Sequence, residues 1–114
     1  MNFKPKNIKE RLDKIKTDPK RAYYYTSKVL KNRWPEAEPY IMKKPTWATY
    51  YAVSVINGPW PEAEPYILQD LPSAVYYASH AKKKLWPELE EALVDYSNRH
   101  LRQQYNDMMR GYTY

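Results

Sequence analysis

The stretch Trp34-Pro35-Glu36-Ala37-Glu38-Pro39-Tyr40-Ile41 returns as Trp60-Pro61-Glu62-Ala63-Glu64-Pro65-Tyr66-Ile67, and a worn third copy follows at Trp86-Pro87-Glu88-Leu89-Glu90. The three tryptophans are spaced by a constant 26 residues. A fixed period of this size marks a tandem array of small supersecondary units, each too small to bury its own apolar face. Counting in both directions divides the single domain, residues 1–114, into units 8–33, 34–59, 60–85 and 86–114.

The content of the units points to helices. Gly58 and Gly111 are the only glycines, against 13 Tyr and 4 Trp, a balance that suits packed helices better than a loop-rich β fold. Most of the ten prolines recur with the repeat and punctuate helices instead of interrupting them. The expected fold is all-α, a short α-solenoid of helix-turn-helix units with a basic N-terminal unit and a long C-terminal capping helix. In the first unit, Ile8, Leu12 and Ile15 form one apolar stripe. Thr17-Asp18-Pro19 then stops that helix and restarts another, predicted over Lys20 to Lys31 with Asn32 in the left-handed conformation. The second and third units each predict a short helix, near Glu36 to Met42 or Glu62 to Leu68, followed by a longer one. For the short helix two starts are open: at Pro35, with Pro39 forfeiting a bond, or at Pro39, with Trp34 to Glu38 as a turn. In the longer helix, Ala48, Tyr51, Ala52 and Val55 share the buried face, Trp47, Tyr50 and Ser54 lie beside it, and Gly58 is the stop. Tyr24, Tyr50 and Tyr76 recur in register and predict a ladder of aromatic contacts. The fourth unit lacks the internal prolines, which predicts one helix from Pro87 to about Arg110. Leu89, Ala92, Leu93, Tyr96, Leu101, Tyr105 and Met108 would form its buried side and Gly111 would end it.

Candidate chemistry is thin. The paired glutamates Glu36/Glu38 and Glu62/Glu64 diverge by about 200° on a regular helix, so they read as helix-start charges and not as acid/base dyads or metal ligands. His80 and His100 are in non-equivalent positions, and there is no nucleophilic triad order, phosphate loop or His-x-x-x-His pair. The absence of Cys excludes disulfides and thiolate chemistry, and no apolar run reaches the roughly 18 residues that span a bilayer. A non-enzyme without metal or cofactor is expected, soluble and intracellular. Charge is uneven: residues 1–33 hold eleven basic and three acidic residues, whereas 86–114 hold three basic and five acidic. Such a basic end is either a solvated cap or a surface for an acidic partner. Combined with aromatics outside the core stripe, it gives the candidate binding residues Lys20, Arg21, Tyr23, Tyr24, Lys28, Arg33, Lys43, Lys44, Tyr50, Tyr76, Lys82, Lys83 and Lys84.

Arg33 to Ile41, followed by Trp47-Ala48-x-Tyr50-Tyr51-Ala52, resembles a short tandem repeat of uncharacterised proteins of tailed bacteriophages. The likeness is good over residues 34–90 and moderate over Ala22 to Arg33, and it transfers no catalytic residue. It implies an accessory protein made in the host cytoplasm. By analogy it implies a binder that blocks a host protein or complex, above all an antiviral defence. The alternatives are a nucleic-acid or nucleotide binder that uses the basic end, and a component of the virion.

Overall fold

The computed structural model describes residues 5–114, with side chains from Ile8 onward, and every regular element among them is helical. Lys4 and Lys6, counted above in the basic end, lie outside the described side chains. The α-helices are α1 Pro5–Lys16, α2 Pro19–Tyr25, α3 Glu38–Ile41, α4 Pro45–Tyr51, α5 Glu64–Ile67, α6 Leu71–Tyr77, α7 Pro87–Ala92 and α8 Arg99–Met108. Three of them, α2, α4 and α6, run on into π-helical turns at Thr26–Leu30, Ala52–Ile56 and Ala78–Lys82. The molecule measures 57 × 25 × 21 Å.

Helix starts follow local chemistry. Asp18 caps α2 by accepting from the Arg21 amide at 3.3 Å, and Asp70 caps α6 through the Ser73 amide at 3.2 Å. The repeat motif itself opens as a turn: the Trp34 carbonyl accepts from the amides of Ala37 at 2.9 Å and Glu38 at 3.1 Å. Helix α3 then begins with Pro39 in its first turn, where a missing N–H costs nothing. In this copy the second of the two starts left open by the sequence is adopted, one residue early at Glu38, whereas in the next copy a 3-10 turn over Pro61–Ala63 leads straight into α5.

Helix ends differ from expectation. Left-handed conformation is taken by Lys31 (φ 52°), Asn57 (φ 61°) and Lys83 (φ 56°), not by Asn32 or Gly58. The last turn widens, so that the Lys31 amide reaches the Thr26 carbonyl at 2.6 Å and the Lys83 amide reaches Ala78 at 2.8 Å. That widening brings the reversal one residue earlier than the Asn and Gly positions.

The core runs through Ala48, Tyr51 and Ala52 on α4 and its continuation, Ala74, Tyr77 and Ala78 on the next pair, and Ile41, Ile67 and Leu89 from the short helices, all fully buried. The alanines let the helices approach closely, and the tyrosine rings fill the space beside them. At the first helix the stripe is weaker than expected. Leu12 and Ile15 are half-buried, while Ile8, at the start of the stripe, is 56% exposed.

The long capping helix does not form. Helix α7 ends at Ala92, Leu93 leaves helical geometry, and a 3-10 turn at Tyr96–Asn98 leads into α8. Asp95 caps this restart by accepting from the Ser97 amide at 3.0 Å. The carbonyls released by the break find side-chain donors: Asn98 reaches Ala92, and Arg102 reaches Leu93 at 2.8 Å and Val94 at 3.0 Å. Of the face expected to be buried, Leu89, Leu93 and Tyr105 are buried, Leu101 and Met108 half-buried, and Ala92 and Tyr96 exposed. Met109 is buried in their place, and Gly111 (φ +90°) follows α8 as the expected stop.

Candidate binding face

The repeat motif is occupied with holding the helices together. The Trp34 amide donates to the Tyr51 hydroxyl at 2.8 Å, and that hydroxyl donates to Glu38 at 2.8 Å. Trp60, Tyr77 and Glu64 repeat the arrangement at 2.7 Å and 2.7 Å, and Trp86, Tyr105 and Glu90 repeat it at 2.8 Å and 2.7 Å. The same tyrosine rings pack forward, with Tyr51 4.9 Å from Trp60 and Tyr77 5.4 Å from Trp86 between centroids. Among the described residues Tyr25 makes the forward contact alone, 5.2 Å from Trp34. Burial, reinforced by the adjacent carboxylates, pushes the Tyr51, Tyr77 and Tyr105 hydroxyls far above the ordinary tyrosine range, so they stay protonated donors. For Glu38, burial pushes its pKa upward, but the Arg33 and Tyr51 hydrogen bonds outweigh it and hold the carboxyl below its ordinary value. Glu36, Glu62 and Glu88 point to solvent, so the paired glutamates do not converge on one site.

This arrangement tells which candidate cations are already engaged. Arg33 grips Glu38 in bidentate fashion at 2.8 Å and 2.9 Å. Lys82 reaches Glu64 at 3.2 Å and lies over the Trp86 ring at 5.5 Å. Both therefore serve the internal framework. Lys43 and Lys44 are exposed in the turn before α4, Lys83 holds the left-handed position after the third π turn, and Lys84 is exposed beside it.

The remaining candidates gather on one side. Lys20, Arg21, Tyr24 and Lys28 line a shallow cleft of about 380 Å³ with Ile15, Tyr25 and Val29. Tyr24 continues into Trp47 at 5.9 Å between ring centroids, and Trp47 into Tyr50 at 5.6 Å. Tyr50 and Tyr76 line a second shallow cleft together with Thr46, Thr49, Pro72 and Ser73. Tyr24, Tyr50 and Tyr76 are 46%, 41% and 39% exposed, so the run is open to solvent along its length. The expected ladder of aromatic contacts does not run directly through Tyr24, Tyr50 and Tyr76: Tyr23 packs on Tyr50 at 5.9 Å, and Tyr76 stacks on His80 at 3.9 Å. Tyr23 and Trp47 bridge Tyr24 and Tyr50, each packing on both rings. Trp47 was absent from the sequence-derived candidates. The signal available for it was its place beside Tyr50 on the stripe next to the core.

Among the described residues no group of three or more His, Asp or Glu side chains is arranged to hold a metal ion. No described helix is long and apolar enough to cross a membrane. Comparison with known proteins returned no matching family model, no similar curated protein and no similar solved structure.

Proposed function

We propose that this chain is a non-enzymatic binding protein, its helix pairs a short α-solenoid, and that the Tyr24–Trp47–Tyr50–Tyr76 run is the surface it offers to a partner protein. The observation that carries this reading is a line of half-exposed aromatic rings in which Tyr24, Trp47 and Tyr50 hold one another by packing and Tyr76 is held by His80. Tyrosine and tryptophan with rotamers already restrained contribute large contact area at low entropic cost, which is what protein interfaces favour. The resemblance to phage repeats supplies the partner class: a host protein or complex that the chain engages and blocks, above all one of antiviral defence. Tagged protein incubated with host lysate should retain a stoichiometric protein. The doubly substituted Tyr24→Ser, Tyr50→Ser chain should lose it while remaining folded, at a cost in stability of about 1–3 kcal/mol for the aromatic contacts removed. Recovery of no stoichiometric partner, or equal recovery by the double variant, defeats the proposal.

A second reading, nucleic-acid or nucleotide binding, is favoured by one observation: Lys20, Arg21 and Lys28 share a cleft with Tyr24. It requires affinity for a labelled single-stranded oligonucleotide that falls steeply with salt, and whose salt dependence weakens on Lys20→Gln, Lys28→Gln substitution. No affinity at low salt removes this reading and leaves the first in place.

A further inference from the structure

The three Trp–Tyr–Glu arrangements end differently at the carboxylate. Glu38 receives the Arg33 guanidinium, with Nε at 2.8 Å and Nη2 at 2.9 Å, and Glu64 receives the Lys82 ammonium at 3.2 Å. Glu90 receives only neutral donors: Tyr105 on Oε2 and Tyr114 on Oε1, each at 2.7 Å. A cation adds to such a carboxylate the Coulomb attraction that a neutral hydroxyl lacks, and a guanidinium adds a second parallel bond. Glu90 has no cationic partner among the described residues.

The space around it is suited to supply one from outside. Glu90 lines the wall of an open cleft of about 410 Å³, with Leu85, Leu93 and Met109 as apolar walls and Tyr105, Asn106 and Tyr114 as polar lining. Arg102 also lines the cleft, but its Nη1 is bonded to the Leu93 and Val94 carbonyls and it makes no ion pair with Glu90. Apolar walls fit an alkyl stem and the carboxylate fits its charged head, the division found along an arginine side chain. At Glu38, the corresponding carboxylate, that group is already seen in place as Arg33.

We propose that the Glu90 cleft is a binding site for an arginine guanidinium presented by a ligand, which displaces the Tyr114 hydroxyl from Oε1. Tyr114 is 69% exposed, so its withdrawal uncovers little buried surface. Within the cleft the guanidinium forms the forked pair that Arg33 makes with Glu38, and its stem lies along Leu85, the apolar wall that remains accessible. This site is separate from the tyrosine face, and either can fail without the other.

The test is a titration of the whole chain with N-acetyl-arginine amide, followed by NMR, with the isosteric and uncharged N-acetyl-citrulline amide as the control. Saturable shifts at Leu93, Tyr105 and Met109 with the arginine compound alone are expected. Glu90→Gln should weaken binding about tenfold or more, whereas Glu88→Gln, an equal charge change on an exposed neighbour, should not. Tyr114→Phe removes the competing donor and should tighten binding about threefold. This exposed position also decides the matter if Glu90→Gln does not fold. Absence of saturable shifts, equal binding of the citrulline compound, a folded Glu90→Gln that binds as the parent does, or a Tyr114→Phe with unaltered or weaker affinity overturns the proposal.

Discussion

Each of Tyr51, Tyr77 and Tyr105 places one hydroxyl between a tryptophan amide and a glutamate, and so joins a short helix to a longer one at a single atom. At Tyr77 the amide served belongs to Trp60, which is 1% exposed and has no water to turn to. Tyr77→Phe keeps the ring on Trp86 and leaves that N–H unpaired, so the expected cost is about 1–3 kcal/mol, read as a lower urea midpoint. Tyr50→Phe is the control: that hydroxyl makes no hydrogen bond among the described residues, and a shift below about 0.5 kcal/mol is expected. A Tyr77 variant that matches the control would show that the hydroxyl bridge contributes nothing. Thr49 presents the opposite case. It is buried, its hydroxyl has no partner, and the residue one period later is Val75. Thr49→Val replaces an unsatisfied hydroxyl by a methyl of nearly the same volume and should raise stability by about 1 kcal/mol. A lower thermal midpoint in that variant would mean that the Thr49 hydroxyl is satisfied in solution.

At the scale of elements, α2, α4 and α6 end in the same way although their sequences do not agree there. Each closes with a π turn and then a left-handed residue, and two of the three left-handed residues are lysines, Lys31 and Lys83. A side chain in that region costs about 1–2 kcal/mol, while asparagine, as at Asn57, tolerates it better. Lys83→Gly should therefore stabilise the fold by about 0.5–1 kcal/mol after the greater freedom of glycine in the unfolded chain is subtracted. Asn57→Gly should gain less, and calorimetry of both variants against the parent measures the difference. A Lys83→Gly chain that melts earlier would place the end of the helix elsewhere. The helix starts were legible because each carries its own signal: Asp18, Asp70 and the prolines act on the nearest amides. The stops were less so. Gly58 and Asn32 are the residues that local preference selects, yet the wider last turn moves the reversal to the residue before each. The break after Ala92 had a local signal in Asp95 and Ser97, the same kind of cap that opens α2, but the missing prolines suggested continuity instead.

For the molecule as a whole, the 26-residue period located the helices of the second and third units, where the motif recurs nearly unchanged, and not those of the fourth, where it lapses. It could not show that Glu38 reaches Tyr51 or Glu64 reaches Tyr77, since neither helical nor strand periodicity joins residues 13 apart. The aromatic face was partly legible for the same reason: Tyr24, Tyr50 and Tyr76 repeat, whereas Trp47, which links two of them, occurs once. The Glu90 cleft was hidden altogether, because it depends on the break between α7 and α8. These links are also unevenly distributed along the 57 Å of the molecule. The first Trp–Tyr–Glu arrangement begins at Trp34, so α1 has none of its own, and its apolar side chains Leu12 and Ile15 are only half-buried. By contrast α4 and α6 are gripped on both sides, by a hydroxyl bridge behind and a tryptophan ring ahead. In the α-solenoid proposed above, stability is a sum of unit and neighbour terms, and the end with the fewest neighbour terms opens first. Native-state hydrogen exchange should accordingly find the amides of α1 least protected. Those of α4 and α6 should approach the free energy of global unfolding, with α8 between them because Tyr105 ties it to Trp86. Equal protection of α1 and α6 would mean that the chain unfolds as one cooperative unit, and that the bridges add stability without grading it along the molecule.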